Sequence, residues 1–195
     1  MNRPNPTRQM SSPLTGFSTL TTRRLLLREI VQTDIQAIFR GLSHPQITRY
    51  YGVSYATLEA TQEQMDWYRE QLLERTGIWW GICLPQAPGE LLGACGYNDW
   101  ECDHRRAELG YWLLPQHWGN GIMRESLEVV IAHGFAAMNL HRIEAVVDTD
   151  NGASSGLLRR LGFTHEGVRR ECELHNGRYL SLDCFGLLRA QREAR

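Results

Sequence analysis

Residues 107–127, AELGYWLLPQHWGNGIMRESL, carry the reading on which the fold turns. Ala107 to Leu114 is a short, mostly apolar run of strand type. Pro115 and the two glycines Gly119 and Gly121 make a loop, and the stretch after Gly121 has helical spacing. A helix that begins directly after such a loop presents unpaired backbone N–H groups and the positive end of its dipole. Gly119 and Gly121 let the backbone approach a diphosphate closely, so the junction is suited to a phosphorylated ligand. Glycines at a strand-to-helix turn can also be purely structural. Two familiar phosphate motifs are excluded. A P-loop closes on Gly-Lys-Ser/Thr, whereas Gly121 is followed by Ile122 and Met123, and a dinucleotide fingerprint needs a third glycine where Arg124 stands.

Downstream, Met123, Leu127, Val130, Ile131, Phe135 and Met138 repeat at a helical period, with Arg124, Glu125 and Glu128 on the other side, so a long helix is expected over 121–138. A strand over 141–147 follows, then a short helix over 153–161 that stops at Gly162, a residue suited to the left-handed position past a helix end. Two last strand-like runs meet around Asn176-Gly177, a strong hairpin signal.

Upstream, 78–84 (IWWGICL) and 91–97 (LLGACGY) flank a Pro/Gly loop and read as a hairpin. Before them, Met65, Tyr68 and Leu72 mark a helix over 58–75. Earlier still, a strand from Arg23 ends at Thr33-Asp34-Ile35-Gln36, a capping-box pattern that opens a helix with Ile35, Ile38, Phe39 and Leu42 on one face. The chain is therefore α/β with the order βααβββαβαββ. Residues 1–20 are expected to be a disordered leader, 21–188 one domain, and 189–195 a charged tail.

Several of these segments resemble one family. Gln116-His117-Trp118-Gly119-Asn120-Gly121 fits the [R/Q]-x-x-G-x-[G/A] signature of the GCN5-related N-acetyltransferases (GNAT). Asn151-Gly152-Ala153-Ser154, followed by Leu157-Leu158-Arg159-Arg160-Leu161-Gly162-Phe163, is similar to the N-x-x-S and LL-x-x-LGF block of the branch that includes ribosomal-protein N-terminal acetyltransferases. The T-x-R-L-x-L-R run from Thr22 to Arg28 and A-E-L-G-Y-W from Ala107 to Trp112 agree with it.

The resemblance implies a mostly antiparallel, mixed sheet flanked by helices, with a splayed central strand pair that admits the acetyl-pantetheine arm. It implies acetyl-coenzyme A as cosubstrate and no metal. Main-chain contacts to the arm would fall at Trp112, Leu113 and Leu114. The pyrophosphate would lie on the turn formed by Gln116, His117, Trp118, Gly119, Asn120, Gly121 and Ile122. Asn151 would contact the pantetheine amides, and Ser154 would serve as acid or hydrogen-bond donor to the thiol; both residue types also cap helices. The expected reaction is direct attack by an amine in a ternary complex, without an acyl-cysteine.

Such an attack needs a neutral amine, and reference pKa values of about 7.7–8.0 for an α-amine and about 10.4 for lysine mean that a proton must be taken up. Because members of the family it resembles often place the base on this strand, Glu108 is the candidate base; it could instead face solvent or pair with Arg105 or Arg106. The Leu113 N–H is the candidate oxyanion donor. Tyr97 and Tyr111 are the candidates for orienting the acceptor, with most other aromatic residues assigned to the core. The acceptor is expected to be a protein N-terminal α-amine. A small amine (antibiotic, amino acid or polyamine) and a non-catalytic acyl-coenzyme A sensor are the alternatives.

Composition limits the remaining choices. The 195 residues carry 21 basic and 22 acidic side chains and a net charge of −1, leaving no basic stripe for nucleic acid. Five cysteines, at 83, 95, 102, 172 and 184, form neither a zinc spacing nor an even disulfide framework, so reduced and mostly buried thiols are expected. Residues 1–16 lack an apolar signal core, and no run approaches the ~18 apolar residues of a membrane span. A cytoplasmic protein is the expectation, with a homodimer suggested by the resemblance.

Overall fold

The computed structural model describes residues 17–175 and 177–193. Its element order is β1 (Leu20–Thr21), β2 (Leu26–Glu29), α1 (Ile35–Leu42), α2 (Pro45–Thr48), α3 (Gln62–Glu74), β3 (Ile78–Cys83), β4 (Gly93–Glu101), β5 (Arg106–Leu113), α4 (Ile122–Ala136), β6 (Arg142–Asp148), α5 (Gly152–Leu161), β7 (Thr164–His175), β8 (Arg178–Leu188) and α6 (Arg189–Glu193). All eight strands form one sheet in the order β1-β2-β3-β4-β5-β6-β8-β7. Every neighbouring pair is antiparallel except β5 and β6. The expected order therefore stands, with β1, α2 and α6 added.

Successive side chains of a strand point to opposite faces, and each face of this sheet buries its own core. On one face α4 and α5 cover Leu109, Leu113, Ile143, Ala145 and Phe185; on the other α1 and α3 cover Trp79, Cys83, Ala94 and Trp112. Strand β3, sandwiched between the two, is buried at every position, which accounts for its unbroken apolar run. The predicted apolar face of α4 is the face that packs: Met123, Leu127, Val130, Ile131 and Phe135 are all buried. Strand β7 is exposed almost throughout and forms the sheet edge, with register shifts at His165/Gly167 and Arg169/Glu173 that break its pairing potential.

Some boundaries move. Phe17 to Leu20, assigned to the leader from sequence, pack on the domain: the Phe17 ring lies 5.6 Å from that of Trp80, and the Trp80 Nε1–H is donated to Ser18 O at 2.7 Å. Residues 1–16 lie outside the described residues. The charged tail begins as α6, and Arg189 donates to Leu140 O at 3.0 Å and to Phe135 O, closing the carbonyl end of α4. At the start of α1 the cap is not Thr33; the Asp34 carboxylate accepts the Val31 N–H at 2.8 Å and a two-pronged contact from Arg28 at 2.7 and 2.8 Å. All five cysteines are free, but only Cys83 and Cys95 are buried, while Cys102 and Cys172 are exposed. In the final hairpin His175 pairs with Arg178, so the turn holds two residues; Gly177 has φ +77°, and Asn176 lies outside the described residues. No helix among the described residues is long and apolar enough to cross a membrane.

Candidate active site

The one parallel contact in the sheet is short. Arg106, Ala107 and Glu108 of β5 pair with Arg142, Ile143 and Glu144 of β6, and there the pairing stops although both strands continue, to Leu113 and Asp148. Below the point of divergence a row of ion pairs binds the strands. Glu101 meets Arg106 at 2.6 Å, Arg106 meets Glu144 at 3.5 Å, Glu144 meets Arg142 at 2.7 Å, and Arg142 meets Glu166 at 2.5 Å. Above it no strand among the described residues pairs with this edge of β5. The Leu114 N–H is donated back across β4 to Leu92 O at 2.9 Å, so by the alternation of an antiparallel ladder the Leu113 N–H points the other way, into the gap.

Glu108 occupies the last paired position. Among the described residues it makes no ion pair, because Arg106 is held by Glu101 and Glu144, and Arg105 is turned to Asn139 at 2.8 Å. Burial, followed by repulsion from Asp99, raises the Glu108 pKa; Arg169 opposes the rise, and Glu144 and Glu173 add to it. A carboxylate with that shift is a better proton acceptor than an exposed one.

At the far end of β5 the chain makes a 3-10 turn over Pro115–His117 and reaches α4 through Gly119 at φ +76° and Gly121 at φ +73°. Left-handed backbone at both positions is the physical reason for both glycines. The N–H groups of Leu114, His117 and Trp118 are used internally, on Leu92 O, Leu114 O and Pro115 O. Among the described residues no acceptor takes those of residues 119–124, and Gly121 offers no side-chain cap to the helix. The expectation for the whole turn thus narrows to its second half. The Trp118 indole N–H also fastens Leu113 O at 2.7 Å, so that carbonyl is engaged, while Gln116 lies exposed at the rim. Asn120 donates its amide to His117 O and Trp118 O.

The turn is braced from 100 residues away in the chain. Arg24 reaches Asn120 O at 3.2 Å and pairs with Glu125 at 2.6 Å, and the Thr22 hydroxyl donates to the same carboxylate. Those hydrogen bonds, acting against burial, hold the Glu125 carboxyl below its usual range. Thr22 and Arg24 are the first two specified positions of the T-x-R-L-x-L-R pattern, and its last, Arg28, anchors Asp34. The pattern was visible in the sequence, but its partner Glu125 was not.

Across the gap from β5, Asn151 caps α5 by accepting the Ser154 N–H at 3.1 Å, so its capping role is real. The Ser154 hydroxyl lies 2.6 Å from the phenol of Tyr111. Tyr97 belongs elsewhere. It is fully buried on the α4 face and donates its hydroxyl to Val130 O at 2.9 Å, whereas Glu108 faces the other side of the sheet. The assignment of Tyr97 to the acceptor is corrected: it is a core residue. The Trp112 ring is likewise core, packed over Gly41, where a β-carbon would overlap it.

The model of the "Acetyltransferase (GNAT) domain" matches residues 24–164. The chain belongs to the GNAT acetyltransferases. It is 38% identical over 174 residues to the uncharacterized N-acetyltransferase YoaA of Bacillus subtilis, a match covering 89% of this chain and 98% of that one. Among solved structures, the GNAT chain superposes on RimL, a ribosomal L7/L12 alpha-N-protein acetyltransferase, with a TM-score of 0.80 at 22% identity, over 88% and 94% of the two chains. It superposes on a spermidine N-acetyltransferase from Vibrio cholerae, solved with CoA and spermine, with a TM-score of 0.76 at 24% identity, over 86% and 96%. These two likenesses concern the fold. The GNAT chain is thus an N-acetyltransferase for which acetyl-coenzyme A is the expected cosubstrate.

Proposed function

We propose that this enzyme transfers acetyl from acetyl-coenzyme A to a primary amine by direct attack, with Glu108 as base and a protein N-terminal α-amine as acceptor. The observation that carries the reading is that β5 holds a half-buried carboxylate, without an ion pair among the described residues, at the closed end of the gap and leads at the open end into a turn with a run of free amides. The amides of residues 119–124 suit a diphosphate, and the Leu113 N–H suits an oxyanion within the gap.

In this reading Glu108 takes the proton that the attacking amine must lose, directly or through water. The amine's electron pair forms the new C–N bond, the C–S bond breaks with its electrons on sulfur, and Ser154 donates a hydrogen bond to that sulfur. Asn151, with its Oδ1 committed to the cap, has its Nδ2 hydrogens for the pantetheine arm.

A small polycationic amine is the second reading. It is supported by Asp99 and Glu173 beside Glu108, against the single cation Arg169, because such a surrounding lowers the energy of an acceptor with further positive charges. Relatives named for ribosomal-protein and for spermidine acetylation both occur. Calorimetry with acetyl-coenzyme A, followed by thiol release and mass spectrometry with peptides and with diamines, tests these readings. Absence of acyl-thioester binding removes the proposal. Tight binding without thiol release from any amine leaves the sensor reading, and turnover confined to diamines selects the small acceptor.

A further inference from the structure

The Tyr111–Ser154 contact joins the two walls of the gap. Tyr111 comes from β5 and Ser154 from the first turn of α5, which follows β6, and their oxygens lie 2.6 Å apart. Each has one hydroxyl hydrogen, so one must donate and the other accept. Burial, partly offset by the bond to Ser154, pushes the Tyr111 phenol up to about 12, so the phenol keeps its hydrogen throughout the working pH range. Ser154 Oγ is its one hydrogen-bond partner among the described residues. The Ser154 backbone N–H is held by Asn151, which fixes where the side chain starts.

We propose that Tyr111 is a positioning residue for thiol departure: it donates to Ser154 Oγ and so leaves the hydrogen of Ser154 free to point at the sulfur. This rests on the reading of Ser154 as the hydrogen-bond donor to the thiol. If the polarity were reversed, with Ser154 donating to Tyr111, the serine would present only lone pairs to a developing thiolate and would oppose the step. The proton balance is plain. A phenol near 12 is a weaker acid than a thiol with a reference pKa of about 8.5, so no proton passes along the pair. The sulfur leaves as a thiolate, held by the Ser154 O–H, and is protonated afterwards by water.

The test is a double-mutant cycle on steady-state kinetics with an accepted amine, with coenzyme A affinity measured by calorimetry. Tyr111→Phe lowers kcat about tenfold, the size expected for one net hydrogen bond, with unchanged coenzyme A affinity. Ser154→Ala lowers kcat by at least as much, and the double variant is no slower than Ser154→Ala alone, because Tyr111 acts only through Ser154. Additive losses, or a Tyr111→Phe loss that appears as weaker coenzyme A binding, overturn the proposal. If Ser154→Ala keeps full kcat while Tyr111→Phe does not, the role of Ser154 falls, and this inference with it; coenzyme A binding still reports separately on the family reading. Should Tyr111→Phe fail to fold, 3-fluorotyrosine at position 111 replaces it. That more acidic donor alters kcat in wild type, and the alteration disappears in Ser154→Ala; persistence there refutes the proposal.

Discussion

Glu108 stands two residues along β5 from Arg106 yet shares none of its ion pairs, and that isolation governs its chemistry. Because its folded-state pKa is raised by burial and by Asp99, the folded protein holds the proton more tightly than the unfolded chain. Stability therefore falls as pH rises from the ordinary carboxylate range through the raised pKa, and the ionised group destabilises the fold above it. Glu108→Gln should then raise Tm at neutral pH, with the difference vanishing in acid, and should lower kcat by about 10²–10⁴ while removing the acidic limb of the kcat/KM profile. Scanning calorimetry across pH and initial rates check both; an unchanged acidic limb would show that another group takes the proton. Tyr97 makes the opposite case. Tyr97→Phe should cost about 0.5–1.5 kcal/mol of stability through loss of the bond to Val130 O, without changing KM for the amine. Denaturant titration and kinetics separate the two effects.

At the scale of elements, the turn before α4 works because its backbone is fixed before any ligand arrives. Gly119 and Gly121 hold left-handed φ values, and Arg24 ties the turn to the strand pair at the start of the domain. A β-carbon at Gly121 meets no close neighbour, the nearest being the Arg24 guanidinium at 3.6 Å, so the effect of Gly121→Ala is conformational rather than steric. Left-handed backbone costs a non-glycine residue roughly 1–2 kcal/mol, and a turn that relaxes to avoid it turns amides away from the ligand. Gly121→Ala should weaken coenzyme A binding about tenfold or more with kcat at saturation little changed, measured by calorimetry beside kinetics. Equal affinity in wild type and variant would mean that the free amides of residues 119–124 do not hold the phosphates.

Across the whole molecule, a continuous sheet has been made to open at one place. The ion pairs from Glu101 to Glu166 bind four strands below the gap, and Arg142 is central, with two carboxylates on its guanidinium that raise its pKa further above the ordinary arginine range. Arg142→Ala leaves Glu144 and Glu166 facing each other across the sheet. It should lower Tm by roughly 2–8 °C, the effect of about 1–2 kcal/mol in a domain of this size, and high salt should narrow the difference. A Tm unchanged at low salt would show that the short β5–β6 ladder and the two cores hold the lower sheet without it.

The element order, the buried face of α4, the left-handed stop at Gly162 and the free turn at Gly119 and Gly121 were legible because each is set by local spacing: a 3.6-residue period, a run of apolar residues, a glycine where φ is positive. Glu108, Asn151 and Ser154 were visible as candidates only through the resemblance to the family's motifs. Local spacing could not assign Tyr97, since which face of β4 meets α4 depends on register with strands elsewhere in the chain. Nor could it join Arg24 to Glu125, Tyr111 to Ser154, or Arg169 and Glu173 to the surroundings of Glu108. Those pairings arise where segments far apart in sequence are packed side by side, and side-chain burial, charge and hydrogen-bond direction are properties of that packing rather than of the order of residues.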